Sequence, residues 1–153
     1  MSKPQSILFV CLGNICRSPL SEEIAKHYAH QYGLEIQVDS CGTGDWHVGE
    51  APCADSIKIA QQHGLDISHQ KARTITSQDI QDYDLIIALD DNNLRDLKAM
   101  GAQNVKKLGR YAHHGEDVPD PYFFDGFEGF EAVYTMIDES VKALFAQELD
   151  TTI

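Results

Sequence analysis

Residues 6–19 read SILFVCLGNICRSP. Ser6–Cys11 is a short, almost wholly apolar run, as a strand buried on both faces should be. Ser18-Pro19 then opens a helix, since serine accepts from free amides at an N-cap and proline suits the first helical position. Leu20, Ile24, Ala25 and Tyr28 form the inward stripe of that helix, and Gly33 ends it. Glu22 and Glu23 fall in its first turns, where the helix dipole favours anions.

Outward from this unit the pattern repeats. Residues 36–41, 83–89 and 105–108 read as strands, and residues 54–63 and 91–100 as helices stopped by Gly64 and Gly101. Residues 109–126 form a long loop. A last helix begins near Phe127, with Phe130, Val133, Tyr134, Ile137, Val141, Leu144 and Phe145 at helical spacing. Strands alternating with helices predict an α/β fold, a three-layer, doubly wound, four-stranded parallel sheet in the order 2-1-3-4 with helices on both faces. The 153 residues suit a single domain over 1–153. In such sheets ligands bind beyond the carboxyl ends of the strands where the order reverses, here between strands 1 and 3.

The loop from Cys11 to Ser18 lies at that point. A helix N-terminus offers free amides and a positive dipole end, and a tight loop before it turns further amides into a nest for a tetrahedral anion. Gly13 and Asn14 tolerate the backbone angles this needs. Arg17 adds a planar fork for two phosphate oxygens. A cysteine at the base of such a nest is held as thiolate, and Ser18 can hydrogen-bond its sulfur. The loop therefore reads as a phosphate cradle (Leu12, Gly13, Asn14, Ile15, Cys16, Arg17, Ser18) around a nucleophile, Cys11. Neither the P-loop nor the dinucleotide glycine pattern is present.

Charge narrows the partners. Twelve Lys and Arg against 24 Asp and Glu leave a formal −12, which repels phosphate backbones and anionic lipid. The expectation is no nucleic acid and no membrane. No secretory leader is apparent, so the chain reads as cytoplasmic with its four cysteines reduced. Cys41 and Cys53 read as small buried or half-buried side chains. The cysteines lack zinc-site spacing, and no metal or other cofactor is expected.

The run VCLGNICRSP at 10–19 resembles the signature of the low-molecular-weight protein tyrosine phosphatases. The resemblance continues through residues 39–49 (DSCGTGDWHVG), 63–69 (HGLDISH), Ala72-Arg73, 89–97 (LDDNNLRDL) and Asp120-Pro121-Tyr122, and so covers essentially the whole chain. It implies a hydrolase whose partners are tyrosine-phosphorylated proteins, with inorganic phosphate or similar oxyanions in the same cradle. Asp-Pro is ordinary turn chemistry by itself. The resemblance makes Asp120 the general acid and base, beside Cys11 and Arg17 as catalytic residues. It implies a substrate pocket walled by Trp46, Tyr122 and Phe123, with Leu12 and Ile15 at the rim. Ser40 and His69 match residues that hold the loop asparagine, here Asn14. Asp90 could orient Arg17 across the switch point, or simply cap a helix. In the family the cysteine matching Cys16 forms a reversible disulfide with the nucleophile. Phe124, Phe127 and Phe130 are expected partly exposed near the pocket.

Two relatives in chemistry remain as alternatives. Arsenate reductase of the same fold needs resolving cysteines after strand 3, and residues 80–110 hold none. Protein-arginine phosphatase typically carries threonine where this chain has Ile15. A third reading is a phosphate-binding module without catalysis, against which the retention of Cys11, Arg17 and Asp120 together argues.

Overall fold

The computed structural model describes residues 3–121 and 127–151. Its elements run β1 (Ser6–Cys11), α1 (Arg17–Gln31), β2 (Gln37–Gly42), α2 (Ala54–Gln62), α3 (Ser77–Asp82), β3 (Leu85–Ala88), α4 (Asp91–Ala99), β4 (Val105–Lys107), a 3₁₀ turn (Leu108–Arg110) and α5 (Glu128–Leu149). The sheet is parallel throughout and ordered β2-β1-β3-β4.

Alternation along β1 and β3 divides the core. Ile7, Phe9 and Cys11, with Leu85, Ile87 and Leu89, face a layer built from α1, α2 and α5. Leu8, Val10, Ile86 and Ala88 face the opposite way, toward Ile75, Ile80 and Leu97. Both faces are therefore covered, which is why these strands carry no polar alternation. The α5 residues at helical spacing are all buried, Phe130 included. The expectation of an exposed Phe130 is thus corrected: it belongs to the core, while Phe127 is half-buried and stacked beside it.

Three local readings also change. The first helix begins at Arg17 with Cys16 at its N-cap and no side-chain cap, so Ser18 lies inside the helix with its hydroxyl turned to the loop. The first turn carries no acid, which leaves the positive helix end uncompensated toward the loop. Glu22 lies deeper and is buried, with Lys26 Nζ and Ser40 Oγ each 2.6 Å from its carboxylate. The short helix α3 lies where no periodic pattern predicts one. It starts on a capping box, in which Thr76 Oγ1 accepts from Asp79 N and Asp79 Oδ2 accepts from Thr76 N. It buries no residue, so no apolar period announces it. Among the described residues no helix is long and apolar enough to cross a membrane.

Candidate active site

The carboxyl ends of β1 and β3 lie side by side, and the segment before Asp120 joins them through Val118 N donating to Leu89 O at 2.9 Å. The loop between β1 and α1 is anchored by its carbonyls. Thr43 N donates to Cys11 O, Gly44 N to Leu12 O, Cys53 N to Ile15 O and Ser56 Oγ to Cys16 O. With these carbonyls turned outward, amides are left for the concave side of the loop. The backing strand must approach closely: a Cβ at Gly42 would lie 2.6 Å from Leu12 O.

Asn14 takes φ 58°, a left-handed conformation that asparagine tolerates better than most residues. Its side chain is fixed on every side. Nδ2 donates to Ser18 Oγ at 2.8 Å and Ser40 Oγ at 3.0 Å, and Oδ1 accepts from Arg73 N at 3.0 Å. Ser40 in turn donates to Glu22 Oε1. This frame aims the Asn14 amide at Cys11 Sγ, 3.3 Å away, and Ser18 Oγ lies 3.0 Å from the same sulfur.

Arg17 is buried, and its Nη1 donates to Asp90 Oδ2 at 2.7 Å and to Val118 O at 2.9 Å. Burial works against its charge, but Cys11, Asp90 and Asp120 outweigh this and hold the guanidinium above its usual range. Asp90 makes two contacts at once. Oδ2 pairs with Arg17, while Oδ1 accepts from Asn93 N as the N-cap of α4.

Cys11, Leu12, Gly13, Ile15, Cys16, Arg17, Trp46, His47 and Asp120 line one cavity of about 170 Å³. The cavity thus has a cysteine and an arginine at the loop and a carboxylate from a segment about a hundred residues away in sequence. An indole borders it as well. Trp46 is exposed, and its ring lies over Gly44, where any side chain would overlap it.

A family model described as low molecular weight phosphotyrosine protein phosphatase matches residues 6–152. The chain belongs to that family. It is 41% identical over 131 residues to the low molecular weight protein-tyrosine-phosphatase YfkJ of Bacillus subtilis, covering 80% of this chain and 84% of that one. The YfkJ crystal structure superposes with a TM-score of 0.88 over 97% of each chain, at 37% identity. The low molecular weight phosphotyrosine protein phosphatase of Schizosaccharomyces pombe is 38% identical over 146 residues, 90% of this chain and 92% of its own. DARP, a Drosophila arginine phosphatase, superposes with a TM-score of 0.85 and 37% identity over 99% of this chain and 100% of its own.

Within this phosphatase-family site two contributors went unassigned in the sequence. The imidazole of His47 lies over Gly13 and its Nδ1 is 3.1 Å from Glu50 Oε2. Arg73 supplies the amide that holds Asn14 Oδ1, and its guanidinium bridges Asp39 and Asp79. Both stand in segments that carry the family resemblance, which was the available signal.

His69 is placed elsewhere. It is exposed, with Nε2 3.9 Å from Glu23 Oε2, and Arg73 takes the position beside Asn14 that the resemblance suggested for it. Tyr122, Phe123 and Phe124 lie outside the described residues. Cys41 is fully buried at the end of β2, and burial pushes its thiol up. Cys53 is half-buried at the N-cap of α2, with its sulfur 2.7 Å from Cys16 Sγ.

Proposed function

We propose that this chain hydrolyses phosphotyrosine and small aryl phosphate monoesters through a phosphocysteine on Cys11. The observation that carries the reading is the convergence on one cavity of Cys11 Sγ, held by Asn14 N–H and the Ser18 hydroxyl, with Arg17 and Asp120. In the first step the Cys11 thiolate attacks phosphorus and an S–P bond forms. The P–O(aryl) bond breaks as Asp120 delivers its proton to the leaving phenol oxygen. In the second step the Asp120 carboxylate takes a proton from water. The new O–P bond displaces Cys11, and inorganic phosphate departs.

Arg17 and the loop amides bind the equatorial oxygens through both steps, the electrostatic contribution that dominates phosphoryl transfer. Asp90 and Val118 fix the guanidinium through Nη1 where Arg17 lines the cavity. Trp46 and the Leu12 and Ile15 side chains supply apolar walls for a phenyl ring. Tyrosine-phosphorylated proteins are the corresponding partners, in a soluble cytoplasmic setting.

The test is phosphate release from a phosphotyrosine peptide under reducing conditions without added metal. Cys11→Ser should abolish turnover, and Asp120→Ala should lower kcat by about 10²–10⁴-fold, most with poor leaving groups. An inactive wild-type protein would overturn the reading. The likeness to DARP favours phosphoarginine as a second substrate. Ile15 and the indole of Trp46 favour the aryl ester, so the ratio of kcat/KM for the two substrates decides between them.

A further inference from the structure

Cys16 and Cys53 occupy corresponding places in two helices. Each is an N-cap residue, Cys16 of α1 and Cys53 of α2. The backbone holds them together, because Cys53 N donates to Ile15 O at 2.8 Å and Ser56 Oγ bonds Cys16 O. Their sulfurs are 2.7 Å apart. Cys16 lines the cavity that contains Cys11, and Cys53 is outside it.

We propose that Cys16 and Cys53 form a dithiol that removes oxidising equivalents from Cys11 and stores them as a Cys16–Cys53 disulfide. The proposal rests on the reading of Cys11 as the cavity's nucleophile. A hydroperoxide transfers oxygen to the Cys11 sulfur, giving the sulfenic acid and releasing alcohol or water. Cys16 attacks that sulfur: the S–S bond forms, the S–O bond breaks, and hydroxide leaves as water with the Cys16 proton. Cys53, losing its proton to solvent, then attacks Cys16 Sγ. The Cys16–Cys53 bond forms as the Cys11–Cys16 bond breaks.

The second exchange has a favourable leaving group. Cys11 departs into the Asn14 N–H and Ser18 hydroxyl that already face its sulfur, and a stabilised thiolate leaves faster. Cys53 is the more exposed partner, so a small reducing thiol reaches the stored disulfide from its side. The net reaction consumes one hydroperoxide and two thiols, and yields alcohol or water, a further water and one disulfide. Cys11 ends reduced and active.

The reduced full chain is treated with one equivalent of hydrogen peroxide, alkylated and digested without reductant. The expected product is the Cys16–Cys53 peptide pair, with phosphatase activity largely retained. Cys53→Ser and Cys53→Ala should instead accumulate the Cys11–Cys16 pair and lose about fivefold more activity, restored by added thiol. Cys11→Ser should form the Cys16–Cys53 pair several times more slowly than wild type. A wild-type end product of Cys11–Cys16 with Cys53 alkylated would overturn the relay, as would equal crosslinking rates with and without Cys11. The peptide map does not depend on turnover, so an inactive reduced enzyme would refute the phosphatase reading alone.

Discussion

Arg17 Nη1 lies 2.7 Å from Asp90 Oδ2, joining the first turn of α1 to the N-cap of α4 across the point where strand order reverses. One carboxylate therefore both aims the guanidinium and starts a helix. Asp90→Asn should separate the two roles, because asparagine caps as well as aspartate but carries no charge. A hydrogen bond to a charged group is worth about 1.5–3 kcal/mol, so kcat/KM should fall by roughly 10–100-fold, and the buried Arg17 left without its counter-ion should lower Tm as well. Asp90→Ala should show the same kinetic loss and be less stable than the asparagine variant by about 1 kcal/mol, the cap being lost too. Steady-state kinetics beside thermal melts check this, and equal stability of the asparagine and alanine variants would contradict it.

Asn14 combines φ 58° with three side-chain hydrogen bonds. Asn14→Gly relieves the backbone angle and loses the bonds, whereas Asn14→Ala loses both advantages. Alanine should therefore be the less stable by about 1 kcal/mol, while both variants lose activity by tenfold or more as the amide drifts from Cys11. Denaturant unfolding of the pair, with kcat on one aryl phosphate, tests the prediction. Equal stability of glycine and alanine variants would show that the angle is unimportant.

Glu22 is buried beneath Ser40, and burial raises it above the ordinary 4.5 despite Lys26 and Ser40 pulling the other way. The native state thus keeps this proton to higher pH than the unfolded chain does. The resulting stability is complete below 4.5 and is lost as pH rises through the folded value. Glu22→Gln cannot ionise, so its unfolding free energy should decline less than wild type over the range upward from 4.5. Urea unfolding at a series of pH values checks it; a constant wild-type-to-variant difference would exclude the effect.

Lys107 Nζ bridges Asp91 at 2.9 Å and Asp117 at 2.8 Å, and Asp91 N also donates to Asp117 Oδ1. This tie holds the segment that leads to Asp120. Lys107→Ala should cost about 1 kcal/mol of stability at most, since both carboxylates are largely exposed. Its kinetic effect should depend on the leaving group, with phenyl phosphate slowed severalfold more than p-nitrophenyl phosphate, because only the poorer leaving group needs a well-placed acid. Equal slowing of the two would mean that the tie does not position Asp120.

Much of the fold and of the candidate site was legible along the chain. The unbroken apolar run of β1 reports a strand covered on both faces, and the repeat from Phe130 to Phe145 reports the inner stripe of α5. Both signals arise from neighbours in sequence. Helix α3 escaped because its evidence is a capping box with no buried stripe behind it. Serine before proline satisfies the local rule for a cap, but the chain turns two residues earlier, at Cys16, and sends the Ser18 hydroxyl to Cys11.

The strand–helix alternation and the residue types of the β1–α1 loop are written in the chain, because hydrophobic period and turn residues act over a few positions. Tertiary structure alone decided the partners of the side chains. Asn14 meets Ser40 across 26 residues, Arg73 across 59, and Arg17 reaches Val118 across 101. It likewise placed Arg73 rather than His69 against Asn14, and Cys53 against Cys16. Such pairings depend on which strands adjoin, in what register, and how helices cross above them. These are properties of the packed layers that no local pattern in the chain records.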